Sequence, residues 1–342
     1  MLDTVARGPD RRHEPGRGGA GAAQREAQLN VKRASRSRGT VGQVGLGIMG
    51  GAFARHLLAA GYKVVGYDVA PAAMRAFSRS GGRAARSCAE VAARARILIT
   101  SLPSPGAMEE AYFGRQGIAA GARPGTIVIE ASTMTLELKE SLRRRLARKR
   151  VVLLDCPISG TGAQAAAKDI AVYASGEQRA FNRCRRVFDG FARSTYYCGE
   201  FGVGSKLKFV ANLLVTIHNL STAEAMVMGE KAGIDLGLLY RVIGDGAGSS
   251  RMFQVRGPMM VRGRYTPAHM KSKIYQKDID IIRAFVRRLK CPTPLFDGSI
   301  PYYSAALRQG FALEDTAAIH SVLRKRAGLR GRPGRRTTRK GR

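Results

Sequence analysis

The run Val44-Gly45-Leu46-Gly47-Ile48-Met49-Gly50, followed by an apolar stretch that closes on Asp68, constrains this chain more than any other feature. It reads as a strand, a glycine turn, a helix and a second strand ending in an acid, the order a dinucleotide site requires. Gly45 permits the tight turn out of the strand, Gly47 lets the backbone approach a pyrophosphate, and Gly50 lets the helix lie close on the sheet. The main-chain N–H groups at the start of the helix, from Leu46 to Met49, face the phosphates with the positive end of the helix dipole behind them. Asp68 then stands within reach of a ribose diol.

Several further apolar runs follow this unit: 97–102, 126–130, 151–155 and 170–174, in addition to 41–45 and 63–67. They are short and nearly continuous, as expected of strands covered on both faces of a parallel sheet. Stretches 49–60, 71–80 and 136–149 carry helical spacing between them. The fold class is therefore α/β, a doubly wound parallel sheet of Rossmann type over residues 40–202. From about residue 203 the strand signal stops. Residues 204–232 read as one long helix, apolar round much of its circumference and closed by Gly233. Helices at 236–243, 274–289, 295–308 and 314–325 follow, so residues 203–325 form an all-helical C-terminal domain.

The net charge of +33 over 342 residues is unevenly spread. Residues 1–39 are rich in Arg, Gly and Ala without apolar periodicity, and residues 326–342 are basic and lack any acid, so both are expected to be disordered. Nucleic-acid contact through these basic tails is the sharper reading. A compositional bias is the favoured one, because no aromatic residues are interleaved for base stacking. The five cysteines form no CxxC pair and no cluster with histidine, which suits a reducing cytoplasm and gives no metal site. No run reaches transmembrane length, so no membrane partner is expected. The first residues lack a secretory apolar core, and Asp3, Asp10, Glu14 and Glu26 argue against a transit segment.

Three loops end strands where such a sheet binds ligands. They are the loop containing Leu102 and Pro103, the Glu130-Ala131-Ser132-Thr133 segment, and residues 155–163 with Ser159, Gly160 and Thr161. Their hydroxyls and glycine N–H groups suit a carboxylate, although strand-to-helix turns also use such residues for capping. Lys208 is the leading catalytic candidate. It lies early on the long helix with Asn212 one turn later on the same face, and a lysine desolvated at a cleft can shuttle a proton. Lys206 points to the opposite side. His218 could approach the site from the same helix, but a core or interface role is the better reading.

Taken together, residues 41–325 resemble the β-hydroxyacid dehydrogenase family, which includes 3-hydroxyisobutyrate dehydrogenase, tartronate semialdehyde reductase and, more distantly, 6-phosphogluconate dehydrogenase. The resemblance rests on GLGIMGGAFARHL at 45–57, DCPISGTGA at 155–163, the G-x-x-x-K-x-x-x-N pattern of Gly204, Lys208 and Asn212, the pair Lys277-Asp278, and Asp315-Thr316. It implies an NAD(P)-dependent oxidoreductase of a small 3-hydroxy acid, with Lys208 as general acid/base and Asn212 orienting the hydroxyl. Ser159, Gly160 and Thr161 would hold the substrate carboxylate. Thr133 would touch the cofactor or substrate, Lys277 would close over the nicotinamide side, and Asp315 would bridge the C-terminal helices to the site. A homodimer or homotetramer is also implied.

The chain departs from the family pattern at Glu130, Thr161, Gln164 and Lys168, the last three standing where glycines are common. These departures leave hydride transfer intact as an expectation and leave the substrate open. Asp68 is followed by Val69 rather than arginine, so NAD is expected over NADP, with Arg75 and Arg79 close by on the next helix. Three rival readings share the fold, of which a 6-phosphogluconate-type decarboxylating enzyme would need a phosphate-binding set and a longer helical domain. An imine reductase-like enzyme would generally lack the catalytic lysine, and a nucleic-acid-associated binding protein would use the tails.

Overall fold

A computed structural model describes residues 38–331. The basic segments read at 1–39 and 326–342 lie outside the described residues, apart from their inner margins. Those margins belong to the fold: Arg38 N–H donates to Gly61 O, Lys63 N–H donates to Gly39 O, and Leu329 N–H donates to Arg324 O.

Six strands form one parallel sheet: β1 (Thr40–Val44), β2 (Lys63–Tyr67), β3 (Arg83–Ala84), β4 (Ile97–Thr100), β5 (Ile127–Glu130) and β6 (Val152–Asp155). Their spatial order is β3-β2-β1-β4-β5-β6, with the reversal between β1 and β4 opening a crevice at the strand ends. Neighbouring residues on the central strands divide between two apolar layers. Ile99, Ile129 and Leu154 enter one, while Leu98, Val128 and Leu153 enter the other. Each fully buried aliphatic side chain contributes on the order of 2 kcal/mol, which explains the continuous apolar runs. Helices Ile48–Ala59 and Gln178–Phe191 cover the first layer, with Phe53 and Phe191 rings 4.8 Å apart. Helices Cys88–Arg94, Pro105–Phe113 and Leu136–Ala147 supply Val91, Met108, Tyr112, Leu142 and Leu146 to the second.

Residues 170–174 depart from expectation. They form β8 (Ala171–Ala174), which belongs to a separate three-stranded sheet, antiparallel to β7 (Ile158–Ser159) and parallel to β9 (Ser194–Tyr197). A bridge between Asp155 and Ser175 joins this small sheet to the end of β6. The glycines and proline at 157–162 turn the chain out of the main sheet, so the strand character of 170–174 is satisfied by new partners.

The long helix runs Val203–Lys231. Gly202 caps its start at φ 93°, and Gly233 ends it at φ 79°, with Gly233 N–H donating to Glu230 O and Ile234 N–H to Gly229 O. Helices Leu236–Asp245, Arg251–Arg262, Ser272–Arg288, Pro294–Arg308 and Ile319–Arg326 pack around it. The helix expected at 314–325 is divided, because Asp315 caps a short 3-10 turn, Thr316–Ala318, before Ile319. Helix Arg251–Arg262 contains Pro258, which obscures it in the sequence. The carbonyl four residues earlier, on Gln254, accepts instead from the Tyr240 hydroxyl at 3.1 Å. No described helix is long and apolar enough to cross a membrane.

Candidate active site

Two adjoining clefts lie where the helical region meets the ends of the parallel strands. The larger, of about 710 Å³, runs along the glycine turn and is lined by Gly45, Gly47, Ile48, Met49, Asp68, Leu102 and Pro103 among others. Gly45 has φ 84°, and a side chain there would strike Ser101 O at 2.2 Å. At Gly50 an added Cβ would come within 2.0 Å of Gly45 O. Gly47 differs, because a Cβ there would meet nothing within 4 Å of protein. The helix it opens has no side-chain cap. The turn thus presents uncapped main chain to open space at the positive end of a helix, a cradle that fits the pyrophosphate of a dinucleotide. Asp68 is fixed at its edge, accepting from Leu46 N–H at 2.6 Å and Ala70 N–H at 2.8 Å.

Leu46 and Gly50 do not line this cleft. The Leu46 side chain is buried in the sheet layer, so its part is the N–H that holds Asp68. Gly50 packs on the turn itself. His269, Met270 and Lys271 close the cleft from the helical region. Gly162 N–H reaches His269 O at 3.5 Å.

The smaller cleft, about 460 Å³, collects Ser159, Gly160, Thr161, Lys208 and Asn212, and Met270 lines both clefts. Lys208 and Asn212 lie one turn apart on the long helix, while Lys206 is exposed. Burial pulls the Lys208 ammonium down to about 8, against the Asp278 carboxylate, which pulls it up; Lys277 adds to the lowering. The Asn212 side-chain amide donates to Asp278 Oδ2 at 3.0 Å, and Asn212 O accepts from the hydroxyls of Thr216 and Tyr275. Thr133 and Lys277 line neither cleft. Lys277 Nζ donates to Thr133 O and pairs with Asp278 Oδ1 at 3.1 Å, so this pair ties the helical region to the β5 loop. His218 also lines neither cleft.

The start of the long helix is anchored to the sheet by a buried ion cluster. Lys139 Nζ lies 2.7 Å from Glu130 Oε2 and 2.7 Å from Asp155 Oδ1, with all three side chains fully buried. Asp155 also accepts from Ser205 N–H, Ser205 Oγ and Ser175 Oγ. Glu130 accepts from Ser132 N–H, and Ser132 Oγ accepts from Leu102 N–H. One connected set of bonds therefore runs from the Leu102 loop to the helix that carries Lys208. A second buried carboxylate, Asp315, receives Arg256 Nε, His269 N–H, Met270 N–H and Ala317 N–H. Burial pushes its pKa up, but Arg256 and the backbone donors outweigh this and hold it below the ordinary value. Asp315 thereby holds the segment shared by both clefts.

The sequence reading missed Arg193, Arg251, Arg256, Asp169, Met270 and Tyr275 on the smaller cleft, and His269 and Lys271 on the larger. Gln164 had stood out only as a departure from glycine. Its side chain accepts from Thr161 N–H and Thr161 Oγ1, completing a capping box, so the Thr161 hydroxyl serves the start of the short helix Gly162–Ala166. Lys168, the other replaced glycine, adopts φ 60°, a conformation that costs a side-chain-bearing residue about 1–2 kcal/mol. Among the described residues no group of three or more His, Cys, Asp or Glu is placed to hold a metal ion.

Known proteins share this arrangement. The family model for the NAD binding domain of 6-phosphogluconate dehydrogenase matches residues 40–199. The model for the NAD-binding region of NADP-dependent 3-hydroxyisobutyrate dehydrogenase matches residues 202–323. An L-threonate dehydrogenase of Cupriavidus necator is 35% identical over 283 residues, covering 82% of this chain and 95% of the relative. The mitochondrial 3-hydroxyisobutyrate dehydrogenase of Mus musculus is 28% identical over 301 residues, 86% of this chain and 89% of the relative. Among solved structures, a 3-hydroxyisobutyrate dehydrogenase from Salmonella typhimurium superposes with a TM-score of 0.76 at 32% identity, covering 83% of this chain and 99% of that one. On these matches and the geometry above, the chain belongs to the β-hydroxyacid dehydrogenase family of NAD(P)-binding dehydrogenases acting on CH–OH groups.

Proposed function

We propose that the protein oxidises a small hydroxy acid of the 3-hydroxyisobutyrate or L-threonate kind to the corresponding aldehyde or keto acid, or runs the reverse reaction, with Lys208 as general acid/base. The observation that carries this reading is that Lys208 and Asn212 line one pocket together with Ser159, Gly160 and Thr161, beside the nucleotide cradle. When bound in that cradle, a nicotinamide supplies the acceptor for the hydride that leaves the substrate carbon. In the oxidation direction neutral Lys208 takes the hydroxyl proton on Nζ, so the C–H and O–H bonds break and a carbonyl forms. In reduction its ammonium returns the proton. Asn212, held by Asp278, orients the hydroxyl, while Ser159 and Gly160 hold the carboxylate and Thr161, whose two donors go to Gln164, shapes the loop. Thr133 and Lys277 act by clamping the two regions together.

Asp68 supports NAD over NADP, since its fixed carboxylate suits a ribose diol and repels a 2′-phosphate. Leu207, Val210 and Leu214 are exposed at i, i+3 and i+7 on the long helix, which supports burial against a second copy in a homodimer or homotetramer. The five unpaired cysteines support a cytoplasmic setting. The presence of Lys208 favours a dehydrogenase over an imine reductase-like enzyme.

The test is steady-state reduction of NAD and NADP over a panel containing 3-hydroxyisobutyrate, L-threonate, L-serine and glycerate. Turnover of at least one acid, with NAD preferred at least tenfold, is expected. Tight nucleotide binding without turnover of any acid refutes the dehydrogenase reading. A preference for NADP refutes the Asp68 argument alone.

A further inference from the structure

Two of the positions that depart from the family pattern, Thr161 and Gln164, are linked in the structure, and a third, Lys168, sits beside the link. Gln164 Oε1 accepts from Thr161 Oγ1 at 3.2 Å, and Gln164 Nε2 donates to Asp169 Oδ2 at 3.2 Å. Lys168 makes the left-handed turn that immediately precedes Asp169, and Asp169 N–H returns to Gln164 O at 2.7 Å. Asp169 then binds two arginines that lie far apart in sequence: Arg193 Nε at 2.8 Å and Arg251 at 3.2 Å. All of these residues except Lys168 line the substrate cleft. Arg251 is the first residue of a helix whose N-cap, Ser250, accepts from Phe253 N–H, so its backbone position is set.

The charge and hydrogen-bonding capacity of this cluster restrict what it can read. Arg193 and Arg251 exceed Asp169 by one positive charge, and Arg256 is matched by Asp315. One substrate carboxylate therefore balances the pocket with Lys208 neutral, as its role in proton removal requires. A second anion would leave an uncompensated negative charge beside Asp169. A guanidinium offers five N–H donors, and Arg251 makes one bond to Asp169 while 63% of its side chain remains exposed. Donor and carboxylate acceptor side by side match a hydroxyl, which both accepts and donates. A methyl or methylene group at that point offers them nothing.

We propose that Arg251, held by Asp169 and the Gln164 relay, is the specificity-determining group of this pocket and selects monocarboxylic acids that carry hydroxyl groups beyond the reacting carbon. This rests on the dehydrogenase reading of the same pocket. Gln164 and Arg193 hold Asp169, and Asp169 sets the Arg251 guanidinium beside it, so a substrate hydroxyl meets an acceptor and a donor together. A site built to bond a hydroxyl discriminates strongly against the analogue that lacks it, because its own polar groups are then left unmatched.

The experiment compares kcat/KM for L-threonate and 3-hydroxyisobutyrate in the wild type, Arg251→Gln and Asp169→Asn, with calorimetric titration of L-threonate into each protein. The wild type is expected to favour L-threonate, and each variant to lose about ten- to hundredfold of that ratio, the worth of a hydrogen bond to a charged group. L-threonate binding is expected to weaken in parallel. Turnover of 3-hydroxyisobutyrate with no wild-type preference for L-threonate overturns the inference and leaves the dehydrogenase reading standing. Equal losses for both acids make the cluster structural and also overturn it. Arg251-dependent binding of L-threonate without turnover of either acid sustains the hydroxyl reading while removing the dehydrogenase one.

Discussion

Replacing Lys139 by methionine removes the one cation shared by two fully buried carboxylates. At 2.7 Å and an effective dielectric of about 20, each ion pair is worth roughly 6 kcal/mol of Coulomb attraction, set against a desolvation cost of several kcal/mol per ion. The net cost of removing one partner is therefore expected near 3–5 kcal/mol. The two carboxylates respond differently. Asp155 keeps three donors from Ser205 and Ser175, whereas Glu130 keeps Ser132 alone. Burial already pushes the Glu130 pKa up against the pull of Lys139, and the variant pushes it further. An acid whose folded pKa is raised destabilises the fold above its unfolded pKa, and that cost vanishes as pH falls through the folded value. Urea unfolding at pH 8 and pH 5 should thus show a larger deficit at pH 8, and adding Glu130→Gln should recover part of it. A loss below about 1 kcal/mol, or a deficit that does not change with pH, would refute the reasoning.

The glycine turn gives a contrasting pair. Gly47→Ala should leave stability within about 0.5 kcal/mol, because its Cβ meets no protein atom, yet weaken dinucleotide binding at least tenfold in a titration. Gly50→Ala should instead cost about 1–3 kcal/mol in unfolding experiments, because its Cβ would sit 2.0 Å from Gly45 O. Asp68→Ser should shift the kcat/KM ratio towards NADP by about ten- to hundredfold, and an unchanged ratio would discard Asp68 as the selector. Buried His320 has its pKa lowered to about 4 by desolvation and by Arg324. Its neutral form is favoured on folding, so stability present above about pH 6.5 is lost progressively as pH falls towards 4, to a total of about 3 kcal/mol. Denaturation midpoints across that range check this, and His320→Asn should flatten the slope.

What could be read from the sequence was local in the chain. The turn at Gly45, the acid at Asp68 and the Lys208–Asn212 spacing each follow from a few neighbouring residues, and the structure places them on the two clefts. Helix Gln178–Phe191 also had a readable signal, with Phe181, Cys184, Phe188 and Phe191 at helical spacing. What escaped depended on tertiary contact. Arg251 meets Asp169 across 82 positions and Arg256 meets Asp315 across 59, and no periodicity announces such pairs. Thr133 and Lys277 are close in space but turn to each other rather than into a cleft. Strand β8 had the right composition, yet its sheet was decided by the turn at Gly160 and by its partner strands.

The most direct test of the account is the pH dependence of hydroxy-acid oxidation by the wild type beside Lys208→Ala, with nucleotide binding measured in both. Lys208 must be neutral to take the proton. Wild-type kcat/KM should therefore climb with pH, bend near 8 and level above it. The variant should lose that limb and about 10²–10⁴-fold in rate while still binding nucleotide. A variant that turns over within a few-fold of wild type, or keeps the same limb, would contradict the assignment of the proton to Lys208.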